Sequence, residues 1–319
     1  MRSTSREFGS VGASTSLASL FGTQDCSELS TVVNVRTTDT QAPALRIVVA
    51  VSVTSGSKWA WVTGATRGVG RGIAIALGAS GWTVWVTGRS GKDGGFVSPF
   101  PGTVEETAAA VDTAGGTGIA RVCDHRRDDE VEAVVEEISA AGRLRLLVNN
   151  VWAGYERLNA GAWEEWNAPF WDQPVELWDA MFDGGIRAHY VTSRLCAPLL
   201  RRDPGGLVVN ISMALGQSHV AGQGVAYSVA KAADDRLSLA MAEQLAESGV
   251  AAVSLHPGLV RTEGVMQFAE HLDLTGSQSP EGVGRVIARL SDDPALMSMS
   301  GSALSVAELA ERYQIDVSA

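Results

Sequence analysis

The sequence predicts an α/β fold, in which a parallel sheet of about seven strands carries helices on both faces within a single domain. From residue 58 onward, short runs rich in Val, Leu and Ile alternate with longer amphipathic stretches. Such apolar runs are typical of strands buried on both faces, and the alternation is typical of parallel strands joined by crossover helices. A glycine-rich stretch between the first predicted strand and the first predicted helix supports the same fold.

The elements follow one another in a regular order. Strands are predicted near 59–63, 83–87, 118–122, 144–149, 206–211, 250–255 and 303–306. Helices are predicted directly after the glycine-rich stretch and at about 103–114, 127–141, 225–248 and 279–293. The connection at 90–102 is rich in glycine and proline, and it is longer than a strand-to-helix connection needs. We therefore expect a mobile surface loop at 90–102.

The glycine-rich stretch Gly64-Ala65-Thr66-Arg67-Gly68-Val69-Gly70 has the features of a phosphate-binding loop. Gly64 permits a tight turn at the end of the strand, while Gly68 and Gly70 let the backbone approach a phosphate closely. The helix that follows supplies free N–H groups and the positive end of its dipole. The stretch therefore predicts a Rossmann-type doubly wound fold that holds the pyrophosphate of a dinucleotide.

Residues 1–57 differ in composition from the rest of the chain. They are rich in Ser and Thr and show no sustained hydrophobic period, so we predict a disordered N-terminal extension before a domain that spans 58–319. No apolar stretch of the signal-peptide type follows Arg2 and Arg6. An organelle transit peptide remains an alternative for this segment.

The net charge of −11 disfavours electrostatic binding to nucleic acid or to an anionic membrane surface. No apolar run approaches the roughly 18 residues that a membrane-spanning helix needs. Cys26, Cys123 and Cys196 are far apart and lack metal-ligand spacing, which favours a reduced, cytoplasmic protein without a metal.

A second chemical landmark is the pair Tyr227 and Lys231 in the predicted helix at 225–248. A spacing of four places both side chains on one helix face. An ammonium beside a phenol favours the phenolate, so the tyrosine becomes a usable proton donor and acceptor nearer neutral pH. Ser212 follows the strand at 206–211, and the carboxyl edge of an open parallel sheet is where ligands bind.

With the glycine loop, Ser212, Tyr227 and Lys231 in this order, the chain resembles the short-chain dehydrogenase/reductase family from residue 58 to the C-terminus. Further matching pieces follow three predicted strands: Cys123-Asp124, Asn149-Asn150 and the run from His256 to Thr262. The runs at 149–154 and 187–190 are similar to one animal subgroup of that family. The resemblance implies a cofactor site formed by Gly64, Thr66, Arg67, Gly68, Val69, Gly70, Arg89, Asp124, Asn150, Tyr227, Lys231, Pro257, Gly258 and Val260.

The resemblance also implies the chemistry, which is hydride transfer between a nicotinamide and a ketone or aldehyde, or the reverse from an alcohol. Ser212 would hydrogen-bond the substrate oxygen and Tyr227 would donate the proton. Lys231 would lower the pKa of the tyrosine and hold the ribose of the cofactor.

The end of the second strand indicates which cofactor is preferred. Chains that prefer NAD usually carry Asp or Glu there, whereas this chain has Thr87-Gly88-Arg89, and Arg67 lies in the glycine loop. Because arginine binds phosphate strongly, we expect NADP(H) to be favoured over NAD(H).

Two departures from the family pattern concern the active site. Val151 and Trp152 are additional residues before Ala153-Gly154, so we expect the floor of the pocket to differ. Many members also carry an Asn that completes a proton relay, and here the corresponding position is Gly185. A water held by backbone carbonyls is one substitute for that relay.

Five of the nine tryptophans lie between 152 and 178, which favours loop and subunit-interface packing and leaves an apolar substrate wall as the alternative. We expect a homodimer or homotetramer. The five histidines form no ligand cluster and are predicted to be structural or exposed, with His219 also considered as a substrate contact because it lies between Ser212 and Tyr227.

Two other functions are weighed against a carbonyl reductase. The missing relay Asn favours a non-catalytic sensor that binds a dinucleotide, whereas the intact Ser212, Tyr227 and Lys231 oppose it. A methyltransferase on a similar sheet would place a carboxylate at the end of the second strand, where this chain has Gly88-Arg89.

Overall fold

The computed structural model describes residues 58–214 and 224–318. The predicted N-terminal extension at 1–57 and the candidate contact His219 lie outside the described residues.

Seven parallel strands form one sheet in the order β3-β2-β1-β4-β5-β6-β7. The strands are β1 (Trp59–Val62), β2 (Thr83–Gly88), β3 (Thr117–Val122), β4 (Leu146–Asn149), β5 (Leu207–Ile211), β6 (Ala251–His256) and β7 (Ala303–Ser305). All seven predicted strands are present, with ends that differ by one or two residues. From β1 the chain builds the sheet outward to one edge through β2 and β3, and from β4 it builds outward to the other edge. The connections therefore diverge between β1 and β4, which creates the crevice where doubly wound sheets bind dinucleotides. The predicted Rossmann-type fold is therefore confirmed.

Helices cover both faces of the sheet. The long helices are α1 (Gly68–Ala79), α2 (Val104–Thr113), α3 (Asp128–Ala141), α7 (Ala188–Leu200), α8 (Val225–Leu245) and α10 (Pro280–Leu290). Shorter ones are α4 (Glu156–Asn159), α5 (Trp163–Asn167), α6 (Val175–Met181), α9 (Glu263–Met266), α11 (Leu296–Met299) and α12 (Val306–Tyr313). A π-helix at Phe182–Arg187 joins α6 to α7, and 3-10 turns lie at Ala246–Ser248 and Ala269–His271.

The core lies between the sheet and these helices. Val62, Val148 and Val209, on three neighbouring strands of the middle of the sheet, are fully buried. On the covering helices, Ile73 and Leu77 of α1 belong to the same cluster of buried side chains. Strand residues buried on both faces explain why the apolar runs were continuous rather than alternating.

The connection at 90–102 contains regular structure. Ser90–Gly91 pairs with Gly94–Gly95 as a short antiparallel hairpin. The φ angles of Gly94 and Gly95 are 127° and 111°, in a region that side chains rarely adopt, so the turn depends on glycine. The glycines that predicted a loop are thus used to close a hairpin.

Among the helices of the described residues, none has both the length and the apolar character needed to cross a membrane.

Candidate active site

Most of the predicted site residues lie at one edge of the sheet, because they follow the carboxyl ends of parallel strands. Gly64 follows β1, Arg89 follows β2, and Asp124 follows β3. On the other side of the crevice, Asn150 follows β4, Ser212 follows β5, and Pro257, Gly258 and Val260 follow β6.

The glycine loop is held closely against the end of β4. Gly64 has φ +64°, and a Cβ on it would lie 2.7 Å from Cα of Val151. The side-chain amide of Asn150 donates to the carbonyl oxygens of Thr63 and Gly64, at 2.9 and 3.0 Å. A Cβ on Gly70 would collide with this same amide and with the Gly64 carbonyl. Asn150 therefore fixes the shape of the loop, a role beyond the cofactor contact that the resemblance implied.

The start of α1 holds an anion. The backbone N–H of Gly68 donates to a carboxylate oxygen of Glu263 at 3.0 Å, although 195 residues separate the two in sequence. This carboxylate occupies the position where a phosphate oxygen would bind a helix N-terminus. The donor chemistry of the loop therefore fits a pyrophosphate.

Two guanidinium groups lie beside the glycine loop. Arg67 donates to Ser90 Oγ at 3.1 Å and to the carbonyl of Gly102 at 3.0 Å. Burial lowers the pKa of Arg67, as does the positive charge of Arg89, whereas the carboxylate of Glu263 raises it. Arg89 pairs with Glu156, and its guanidinium lies 3.9 Å from the centre of the Phe96 ring. Both cations are close to the loop, and both already have protein partners.

The remaining predicted cofactor residues occupy the rim of the same edge. The carboxylate of Asp124 is bonded to Arg126 at 2.6 Å. Burial raises the pKa of Asp124, but the bonds and charge of Arg126 outweigh it and hold the pKa below its usual value. Thr66 is buried, Val69 packs on the core, and Val260 is buried beside a bridge to Gln278.

Ser212, Tyr227 and Lys231 converge at the crevice. Oγ of Ser212 donates to the carbonyl of Lys231 at 3.0 Å, and Nζ of Lys231 donates to the carbonyl of Ile211, next to Ser212, at 3.0 Å. Tyr227 lies one turn earlier on α8, on the same face as Lys231. All three side chains are buried, with exposed fractions of 4–6%.

The hydroxyl of Tyr227 has two further neighbours. Tyr155 donates to it at 2.9 Å, and the Tyr227 hydroxyl donates to the sulfur of Met213 at 3.3 Å. Desolvation of its hydroxyl raises the pKa of Tyr155 well above its usual value, although 38% of the residue is exposed, and the neighbouring Tyr227 adds to the shift. Tyr155 therefore stays protonated and is a hydrogen-bond donor toward the Tyr227 oxygen.

Trp152 packs against two of the catalytic candidates, Tyr227 and Lys231. Its ring lies edge-on to Tyr227, with centroids 5.7 Å apart, and Nζ of Lys231 lies 3.9 Å from the centre of the indole. A Cβ on Gly185 would lie 2.7 Å from Cζ3 of the same indole. The sequence departs from the family pattern at Trp152 and at Gly185. In the structure these two residues contact each other, because the indole lies against the glycine.

Comparison with known proteins assigns the family. The sequence profile described as short chain dehydrogenase matches residues 58–273. The chain belongs to this family. It is therefore an NAD(P)-dependent oxidoreductase, as the glycine loop at the sheet edge indicated.

The family's relatives cover most of the chain. It is 36% identical over 267 residues to mouse dehydrogenase/reductase SDR family member 1, covering 79% of this chain and 80% of the relative. It is 34% identical over 268 residues to the human protein of the same name, with coverage of 79% and 80%. A crystal structure of a putative dehydrogenase from Xanthomonas campestris superposes with a TM-score of 0.68 at 26% identity, covering 81% of this chain and 90% of that one.

Other tryptophans of this dehydrogenase have different surroundings. Trp166 packs on Tyr155 and Tyr227, with ring centroids 5.5 and 5.9 Å apart. Trp171 and Trp178 are 71% and 40% exposed. Trp152 and Trp166 thus lie against the catalytic candidate Tyr227, whereas Trp171 and Trp178 lie at the surface.

Three residues at the site were not singled out from the sequence. Tyr155 contacts Tyr227, while His189 and Asp234 form a buried pair behind Lys231. The sequence offered a weak indication of Asp234, because a carboxylate three residues after Lys231 on one helix can reach its ammonium. His189 was expected to be structural or exposed, and it is 1% exposed.

Proposed function

We propose that the chain is an NADP-dependent oxidoreductase that reduces a ketone or aldehyde to an alcohol, or catalyses the reverse reaction, at Ser212, Tyr227 and Lys231. The observation that carries the proposal is the convergence of these three side chains at the crevice that the glycine loop borders. A sensor without turnover would not need a buried tyrosine and lysine on one helix face at this point.

Each group has a distinct task in this proposal. When bound, the nicotinamide cofactor supplies or accepts the hydride. Tyr227 donates its hydroxyl proton to the substrate oxygen, and the Ser212 hydroxyl orients that oxygen by a hydrogen bond. The bond from the Tyr155 hydroxyl stabilises negative charge on the Tyr227 oxygen after the proton has left. Lys231, held at the Ile211 carbonyl, contributes positive charge to the same region.

An apolar substrate suits the walls of the site. Beside Tyr227 lies a narrow crevice lined mainly by apolar side chains: Trp166, Leu177, Met181 and Ala226, with Gln173 as a polar member. We propose that Trp152 and Trp166 contact the substrate, because both pack on Tyr227. Apolar ketones or aldehydes are the class that such walls favour.

The preference for NADP rests on charge at the end of β2. No carboxylate is present at 87–89, and the guanidinium groups of Arg67 and Arg89 are close enough to affect one another electrostatically. A 2′-phosphate would bind them through charge-assisted hydrogen bonds. Glu156, the present partner of Arg89, would have to give up that contact or share it.

We also propose a cytoplasmic homodimer or homotetramer. The buried free thiols Cys123 and Cys196 support a reducing compartment. The exposed Trp171 and Trp178 are candidates for a subunit interface, because large apolar side chains at a surface often mark one.

The decisive experiment is a screen of carbonyl compounds for oxidation of NADPH by the purified protein. Tyr227→Phe keeps the ring and removes only the proton donor, so its turnover is expected to fall by at least about 100-fold. Its dissociation constant for NADPH is expected to change little.

Tyr190→Phe is the matched control, because Tyr190 is 54% exposed on α7 and should keep full activity when changed. A Tyr227→Phe enzyme that retains more than about a tenth of the wild-type rate would contradict the assignment of the acid. NADPH binding without turnover of any carbonyl compound would instead favour the non-catalytic sensor.

A further inference from the structure

A buried ionic cluster lies directly behind Lys231. Nζ of Lys231 is 3.2 Å from Oδ2 of Asp234, and Oδ1 of Asp234 is 2.7 Å from Nδ1 of His189. The side chains of Asp234 and His189 are 0% and 1% exposed, and that of Lys231 is 7% exposed. Burying such groups is costly unless each is paired, so a cluster at this depth needs an explanation beyond packing.

Two hydrogen bonds of the cluster end on the carboxylate of Asp234. The carbonyl oxygen of Val151 can only accept, so Nε2 of His189 donates to it, at 2.9 Å. The 2.7 Å contact between Nδ1 of His189 and Oδ1 of Asp234 also needs a hydrogen, so with Asp234 ionised both ring nitrogens of His189 carry one. Burial raises the pKa of Asp234, but the charges and bonds of His189 and Lys231 outweigh it and keep the pKa below its usual value. Asp234 is therefore the anion between two donors.

The groups around His189 leave this arrangement intact. His125 is the neighbouring histidine, and burial together with the charge of His189 lowers its pKa to about 3, so it is neutral. Asp235, next to Asp234 on α8, is bonded to His256 and Ser254 instead. Lys231 and His189 are thus the charge partners of Asp234 among the described residues.

The cluster also fixes Trp152. His189 is bonded to Val151, the residue before Trp152, and the indole of Trp152 covers the ammonium of Lys231. The ammonium is therefore held by a carboxylate, a backbone carbonyl and an aromatic face at once. Gly185, the position where many relatives have a relay Asn, provides the space for that indole.

We propose that Asp234 and His189 are positioning residues for Lys231. Asp234 holds the ammonium in its reactive place, and His189 holds both Asp234 and the Val151–Trp152 segment that covers it. This inference rests on the proposed function, since it assigns to Lys231 a part in turnover. It differs from the water-based relay expected for a chain without the Asn.

Asp234→Asn tests the proposal, because it keeps the shape of the side chain and removes its charge. We expect kcat to fall by about ten-fold or more, since small misplacements of a catalytic group have large effects on rate. The KM for the carbonyl substrate should change by less than about two-fold, since Asp234 does not touch the substrate crevice. In a Lys231→Met background, Asp234→Asn should have no further effect on kcat, because the two changes act on one group.

Asp293→Asn is the matched control. Asp293 is also a buried carboxylate, bonded to Tyr313 at 2.6 Å and paired with Arg312, and it lies three residues after the end of α10. The control should lower the melting temperature without lowering kcat. A drop in kcat for Asp234→Asn that persists in full in the Lys231→Met background would overturn the proposal, as would no drop at all.

His189→Gln is the second variant, and it decides the question if Asp234→Asn does not fold. It leaves the charges of Lys231 and Asp234 in place, so we expect a smaller loss of kcat, about three-fold or more. An unchanged kcat would refute the role of His189. If the wild type turns over no carbonyl compound, the proposed function fails, and the dissociation constant for NADPH becomes the test. Weaker binding by Asp234→Asn would then support the positioning of Lys231, and equal binding would refute it.

Discussion

The indole of Trp152 fills the space beside Gly185, where a Cβ would lie only 2.7 Å from the ring atom Cζ3. Trp152 lies just after β4 and Gly185 lies in the π-helix at Phe182–Arg187. The contact explains why a glycine is found at this point and why an Asn side chain could not be accommodated there. It also places an aromatic face over Lys231.

Gly185→Ala is therefore expected to destabilise the protein by about 1–3 kcal/mol, the usual range for overpacking a filled site. Urea unfolding measures this free energy. Trp152→Ala should remove the clash, so the double variant should be more stable than the sum of the single changes predicts. Gly184→Ala is the control, because its Cβ would meet Ala153 rather than the indole, and Trp152→Ala should not rescue it. Simple additivity at Gly185 would show that the indole does not set this constraint.

Cofactor choice is predicted to depend on Arg89. A lost charge-assisted hydrogen bond costs about 1.5–3 kcal/mol, so Arg89→Asp should weaken NADPH binding by ten-fold or more and let NADH compete. Dissociation constants for both cofactors, in wild type and variant, give the answer. Arg143→Asp makes the same change of charge at the opposite edge of the sheet, before β4, and should leave both constants unaltered. Wild-type protein that binds NADH as tightly as NADPH would refute the arginine argument.

Glu263 is expected to compete with the cofactor for the start of α1. Its carboxylate accepts the Gly68 N–H that the proposed pyrophosphate site requires. Glu263→Gln removes the negative charge, so the affinity for NADPH should rise by about two- to five-fold, the range of an exposed charge at a helix end. Glu308→Gln, in the first turn of α12, is the control. The gain should shrink at high salt, and weaker binding by Glu263→Gln would mean that this side chain supports the loop instead.

His125 predicts how stability depends on pH. It is buried between Thr87, 3.0 Å from Nε2, and Thr192, 3.2 Å from Nδ1, and its pKa is lowered to about 3 from a usual value of 6.5. Between these two values the unfolded chain binds a proton that the folded chain does not. Stability therefore falls as the pH drops below 6.5.

His125→Asn removes this titration, and carboxylates common to both proteins cancel in the comparison. The wild type should lose up to about 1.4 kcal/mol more per pH unit than the variant between roughly pH 6 and pH 4. Equal pH dependence of the unfolding free energy in the two proteins would show that His125 is not buried in its neutral form.

The sequence by itself determined the order of strands and helices, because strands buried on both faces and amphipathic helices have distinct hydrophobic patterns. It also determined which residues reach the functional edge, since the carboxyl ends of parallel strands meet there whatever the loops do. Gly64, Ser212 and Asp124 could be placed in this way without any contact being known.

Only the tertiary structure decided which side chains touch. His189 and Asp234 are 45 residues apart on different helices, and their pairing depends on how α7 and α8 pack on the sheet. Likewise, Glu263 is bonded to Gly68, although 195 residues separate them. The contact between Trp152 and Gly185 depends on the course of the irregular segment after β4. A local sequence pattern shows whether a segment is a strand or a helix and which face is apolar. It does not show how one element is rotated against its neighbour, and that rotation determines these contacts.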